Sequence, residues 1–337
     1  MGAEDSIDGE ELVEDCIDGE ELARRILEES KDEPLDTSRC KTFPPWFDEK
    51  KFKRGQSYFH TNYWALFVSK LSGLLVILAV PSILQVLIMT GKSSEPRTAF
   101  KRYLDTILHM LEWYKGNITD TKSSLHKSMM EVRGKHCAAS KGASADKQYG
   151  HISQQDMALT QFGFMGFALI HAEYLGVQGS EEDVEGFLHL WRTVGHFMGI
   201  KDRYNLCSLS NNVAESRKCC QIICNNAFKP LMETPVEDFH SMSIALLQGV
   251  KGFVPSLDPD AFLYFTKHLC GIDVNLDKLD AYARFTYRLQ DFIHTRILNN
   301  AILRWFFRPL LNFNMWLAIF ICERFTSVIS ALHFGNS

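Results

Sequence analysis

Several signatures of common chemistries are missing from this sequence. It contains no phosphate-cradling GxxxxGK[ST], no HExxH, no EF-hand loop and no nucleophile-elbow GxSxG. It has no CxxCH, which excludes a covalently attached c-type haem. Alternating strand patterns and βαβ spacing are absent, so GFMGFA at Gly163–Ala168 has no strand before it and is not a dinucleotide fingerprint. The nine cysteines show no paired spacing, which argues against a disulfide framework and for a reducing, intracellular compartment. Cys219, Cys220 and Cys224 cluster without a second pair and read as buried thiols rather than zinc ligands. The first residues lack the basic and apolar regions of a signal peptide. No concentrated basic stripe is present, so nucleic acid is not an expected partner.

What is present is apolar and helical. The 337 residues are 46% hydrophobic and include 24 Phe, an excess that suits a chain enclosing something large and apolar. Long helical runs predict an all-α fold with one large domain over residues 37–337. Residues 1–36 hold fifteen Asp or Glu against three Lys or Arg, a net of −12; the whole chain carries −5, so the remainder sums to +7. That segment reads as an acidic, disordered tail with a short helix around Glu20–Glu29. It contains a repeat, SIDGEEL at Ser6–Leu12 and CIDGEEL at Cys16–Leu22.

The chain is organised around Ile152–Cys207. Thr160, Phe164, Phe167, His171 and Tyr174 recur at spacings of three and four, placing a histidine in an aromatic stripe. Gly176 and Gly179 stop that helix, and Ser180 with Asp183 caps a second one that turns Phe187, Leu188, Trp191, Val194 and Phe197 inward. Gly163 and Gly166 permit the close approach of a helix or a flat ring. Leu71–Met89 just reaches the length of a membrane span, although Pro81 and Gln85 interrupt it; a core helix is the alternative. Leu310–Phe334 is apolar but carries Glu323 and Arg324, which suits a helix lying on a membrane surface better than one crossing it. Arg133 and His136, three apart, are expected on one helical face.

A haem iron needs an imidazole held on a helix inside an apolar cavity and a group on the oxygen side. His171 meets the first need, and Arg133 with His136 offers the second. Taken singly, each histidine also reads as an ordinary core or surface residue.

The segments ISQQDMALTQFGFMG, EGFLHLWRTVGHFMGIKDRYNLC and FPPWFDEKKFKRGQSYFHTNYW resemble the animal branch of the rubber oxygenase (latex-clearing protein) family, which includes the endoplasmic-reticulum-bound oxygenase of mycophenolic acid biosynthesis. The resemblance implies a globin-like helical domain holding haem b non-covalently, with dioxygen as co-substrate and cleavage of isoprenoid double bonds. It implies Arg133-x-x-His136 as the counterpart of the family's Arg-x-x-Lys, with histidine in place of lysine. It implies His171 as the iron ligand, and Thr160 and Gln161 as pocket lining. If Gln161 or Phe164 stands at the ligand position instead, ligation falls to His136 or His189, or is lost. The expected partners are an apolar small molecule and a membrane surface, with the endoplasmic reticulum or the cytoplasm as location. The alternatives are a non-enzymatic carrier of prenyl or lipid ligands using the same cavity, and a membrane-tethered scaffold using the acidic tail.

Overall fold

The computed structural model describes residues 17–38, 42–145 and 151–334. Among them it has no strand, only an isolated antiparallel bridge between Pro34 and Ser153. The all-α expectation holds. In chain order the helices are α1 (Gly19–Arg24), α2 (Glu49–Thr61), α3 (Tyr63–Leu78), α4 (Pro81–Met89), α5 (Pro96–Trp113), α6 (Ser124–Ala145), α7 (Gln154–Ile170) and α8 (Glu181–Met198). They are followed by α9 (Val213–Ile223), α10 (Lys229–Glu233), α11 (Glu237–Val250), α12 (Pro259–Leu269), α13 (Ala281–Phe292), α14 (Ala301–Arg324) and α15 (Thr326–Phe334).

Three antiparallel or crossing pairs make the core: α2 on α8, α3 on α7 and α5 on α11. Two of them depend on glycine. A Cβ on Gly73 would lie 1.8 Å from the Gly163 carbonyl oxygen, and one on Gly55 would lie 2.3 Å from the Gly186 carbonyl oxygen. Only hydrogen fits at such backbone contacts. The helix–helix role expected for Gly163 is therefore met.

Leu71–Met89 is not one long helix. The chain turns at Ala79–Val80, and Pro81 opens α4 with the fixed φ that suits a first helical turn. Neither α3, with 16 residues, nor α4, with nine, has the roughly 20 residues a bilayer crossing needs. α3 is buried on nearly every side, so the membrane-span reading of this run is corrected to a core helix.

Part of the acidic N-terminal segment, residues 17–36, packs against the body. Asp18, in the second copy of the repeat, accepts hydrogen bonds from the Glu20 and Glu21 amides and caps α1. Leu22, Ala23 and Ile26 are fully buried, and α1 lies along α9, where the Gly19 amide donates to the Glu215 carboxylate at 2.7 Å. Beyond it, Glu33 pairs with Lys201 and Arg203. The first repeat copy, 6–12, lies outside the described residues.

Candidate functional site

Six helices, α3 to α8, enclose a cavity of about 1020 Å³. That is at or above the upper end of the range usual for small-molecule sites, roughly 300–1,000 Å³. Leu74, Ile77, Ile83 and Leu87 of α3 and α4 form one apolar wall, and Phe164 of α7 and Met198 of α8 face it. The run that sequence offered as a membrane span is thus a wall of the cavity.

Local structure explains how α7 presents its face. Ser153 and Asp156 form a reciprocal capping box, and Asp156 also accepts from the Ser82 hydroxyl at 2.5 Å, tying α4 to α7. Thr160 and Phe164 follow at steps of four and reach the same cavity. The Thr160 hydroxyl donates to the Asp156 carbonyl at 2.7 Å and keeps a lone pair free to accept. Phe164 stacks on Trp191 with centroids 5.0 Å apart and planes 22° apart, giving a flat aromatic wall. The Trp191 Nε1–H donates to the Tyr114 hydroxyl, which also bonds Lys70 Nζ at 2.8 Å. Burial pushes the Lys70 pKa well below its ordinary value, and the ammonium position lies over the Phe59 and Tyr114 rings. Gln161 also touches the cavity, but its amide is spent on structure: it donates to the Trp191 carbonyl and Asn205, and accepts from the Leu206 amide.

Two histidines line the cavity, His109 and His136. Both nitrogens of His109 are engaged, Nδ1 with the Ser128 hydroxyl and Nε2 with Lys135. His136 is different. Its Nδ1 is buried with no hydrogen-bond partner among the described residues. Burial, followed by the nearby charges of Arg102, Arg133 and Lys135, pushes its pKa down to about 4, so the ring is neutral at physiological pH. Unpartnered buried nitrogens also occur at His126, His151 and His294, so it is the place in the cavity wall that sets His136 apart.

The other expected site residues stand elsewhere. His171 does not enter the cavity. It lies on the Phe164 face of α7 but seven residues on, about 10 Å further along the axis. The helix has ended at Ile170, and His171 Nε2 donates to the Leu269 carbonyl at 2.7 Å. A nitrogen that donates there carries the proton, which leaves Nδ1 as the ring's one lone pair, turned to a site other than this cavity. His189 accepts the Asp48 amide on Nε2 at 2.9 Å, with Trp46 and Phe47 against its ring, and so holds the start of α2. Its lone pair is committed. Arg133 points away from His136: its guanidinium donates to the carbonyls of Phe197, Asp36 and Ser38, stapling the N-terminal segment to the end of α8. The two residues stand three apart on α6, as expected, with the guanidinium near enough to bear on the imidazole but spent on carbonyls. Among the described residues no group of three His, Cys, Asp or Glu could hold a metal ion.

Sequence reasoning overlooked Arg102. Thr98, Arg102, Thr106, His109 and Trp113 of α5 all line the cavity, at steps of four, four, three and four. This is a second helical face, opposite the apolar residues that α5 turns toward α11.

Comparison with known proteins gives a consistent result. Residues 58–319 match a family model, ER-bound oxygenase mpaB/B'/Rubber oxygenase, catalytic domain. The rubber oxygenase of Streptomyces sp. (strain K30) is 23% identical over 173 residues, 49% of this chain. That match spans 42% of the relative's length. The solved structure of Latex Clearing Protein LCP in the closed state aligns over 83% of this chain and 76% of its own, with a TM-score of 0.56 and 18% identity. At that identity the likeness is one of fold.

Proposed function

This chain belongs to the ER-bound oxygenase mpaB/B'/rubber oxygenase family, and from that premise we propose that it is a haem b-dependent oxygenase acting on double bonds of an isoprenoid-like apolar substrate. The observation that carries the reading is the cavity itself, large, mostly apolar, and with the neutral His136 imidazole in its wall. The residues present fit the cofactor. His136 would hold the iron, in place of the His171 ligand that sequence favoured, and the Phe164–Trp191 pair offers a planar surface for the macrocycle. When bound, haem supplies the activation of dioxygen. The chain's own part is to seat an apolar chain on the α3 and α4 wall, to keep the His136 ring unprotonated through burial and the adjacent cations, and to offer the Thr160 hydroxyl as an acceptor.

The test is the absorption spectrum and iron content of the purified protein, followed by dioxygen uptake on adding squalene. A Soret band and substrate-dependent uptake are expected. A colourless protein that takes up no haem on titration overturns the reading. One observation favours the carrier alternative: of the two histidines that line the cavity, His109 is engaged at both nitrogens, which leaves His136 alone to meet a metal. A carrier retains squalene without consuming oxygen.

The same proposal includes a membrane surface as the place of work. α14 is the one helix among the described residues that is long and apolar enough to cross a bilayer. Its outer face exposes Ile302, Trp305, Phe306, Phe313 and Trp316, an extended apolar patch of a kind that marks an interaction site. Its inner face is fastened to the body. Asn312 accepts the Trp64 amide and donates to the Thr61 carbonyl, Arg308 donates to the Gly176 carbonyl, and Met315, Ile319 and Cys322 are buried. A helix anchored this way offers one side to lipid, and Arg304 beside Trp305 suits an anionic interface. A second cavity, of about 690 Å³, lies between α14 and α5 and shares Asp105 and His109 with the first. Co-flotation with vesicles containing anionic lipid is therefore expected. The double substitution Trp305→Ser, Phe306→Ser is expected to lower partitioning at least about tenfold, each ring losing roughly 1–2 kcal/mol of apolar burial. A wild-type protein that does not float with vesicles sinks this part of the reading.

A further inference from the structure

Four cations line the main cavity: Lys92, Lys101, Arg102 and Lys135. Lys135 is answered by Asp105 at 2.9 Å and Glu131 at 3.0 Å. Lys92 and Lys101 are exposed and keep their water. Arg102 has neither compensation. Its guanidinium is partly buried and donates one hydrogen bond, to the Thr90 hydroxyl at 3.1 Å. Among the described residues no carboxylate stands within ion-pair distance of it, and desolvation lowers its pKa. A guanidinium carries five N–H donors in a planar fork shaped to grip a carboxylate, so most of its capacity is unused. Charges taken out of water are ordinarily paired. Arg102 and His136 line the same cavity, most of whose wall is hydrocarbon, and its open space is where a ligand would lie.

We propose that Arg102 receives the carboxylate of the cavity's ligand, so that the substrate class is an isoprenoid acid, with its chain along α3 and α4 and its head at α5, rather than a neutral hydrocarbon. The inference rests on the cavity being the substrate site, as the proposed function has it, and is independent of any oxygen chemistry. The cation also acts on the imidazole: Arg102 is one of the charges that hold His136 neutral, and a bound carboxylate would offset it.

The test uses the purified full chain near neutral pH and the displacement of Nile red by farnesoic acid or farnesol, which share a chain and differ in the head. Wild type is expected to bind the acid at least about tenfold more tightly, the scale of one charge-assisted hydrogen-bonded pair. Arg102→Gln erases that preference and leaves farnesol affinity unchanged, while Arg102→Lys keeps part of it. Equal affinity for the two in wild type overturns the proposal, as does an equal loss for both in Arg102→Gln. Haem titration of the same variant separates the other source of a carboxylate. If Arg102→Gln weakens haem uptake about tenfold and keeps the acid preference, the guanidinium serves a porphyrin propionate and the proposal fails. No oxygen is consumed in the assay, so a protein that proves not to be an oxygenase still gives a definite answer.

Discussion

Replacing His136 with alanine is expected to abolish haem uptake while leaving the fold intact. Partners one shell removed from a metal typically matter by about 10- to 100-fold in affinity, so loss of the ligand itself is worth more than about a hundredfold. Stability should hold or rise slightly. The substitution removes a buried nitrogen that has no partner, and such a group costs about 1–3 kcal/mol to keep. His171→Ala is the control with the opposite pattern. It strips the Leu269 carbonyl of its donor, so about 1–3 kcal/mol of stability should disappear while haem binding persists. Parallel haem titrations and thermal melts of the two variants decide the matter. A Soret band that survives in His136→Ala and vanishes in His171→Ala would return the iron to the residue that sequence favoured.

The contrast between those two histidines also shows what the sequence carries and what it does not. Periodicity located α7 and α8, the capping pair Ser180–Asp183 appeared as a full reciprocal box, and the turn at Gly176 sits at a φ of +69° that glycine alone takes easily. Spacing correctly put Thr160, Phe164 and His171 on one helical face. It carried no information about how far along that face the neighbouring helices open. The cavity ends before His171 because α12 closes over it and supplies the Leu269 carbonyl, a contact 98 residues distant in the chain. Arg133 shows a related limit. Three residues along a helix leave two side chains close, but Arg133 is long, and three backbone carbonyls from α8 and the N-terminal segment draw it away. The short helix around Glu20–Glu29 was legible, but its docking was not, since its acidic residues outnumber the few apolar ones. Leu22, Ala23 and Ile26 suffice to dock it because α9 presents a matching face. α14 was foreseen as a helix for a surface, yet its start was set nine residues late, because Arg304, Arg308 and Pro309 break the apolar run without breaking the helix.

Acid is expected to unfold this protein early, between about pH 6 and pH 4, and the cause is three histidines rather than carboxylates. His136, His189 and His294 are each depressed from an ordinary 6.5 to about 4, in every case chiefly by burial. Their folded-state pKa values lie below the unfolded ones. Between those values the unfolded chain binds protons that the folded chain refuses, so stability is fully present above about 6.5 and is lost as pH falls toward 4. His294 shows the physical reason. It is wholly buried beside Trp64 and Phe265, Nδ1 donates to the Leu175 carbonyl, and Nε2 has no partner to share a second proton with. His189 would lose its acceptor role toward the Asp48 amide on protonation. A depression of that size is worth up to about 3 kcal/mol for each ring, less for His136, whose cavity admits water. The sum, on the order of 5–8 kcal/mol by about pH 4, rivals the whole stability of an ordinary domain. Carboxylates such as Glu33, held down to about 2 against its Lys201, Arg203 and Tyr204 partners, give way only in stronger acid. Urea denaturation of the purified chain at steps from about pH 7 to pH 4.5 measures the slope, and His189→Gln, whose side-chain oxygen can still accept the Asp48 amide, should make it shallower by about one proton. A denaturation free energy that stays level over that range would mean these rings are hydrated in the folded state, and with them the cavity side of α6.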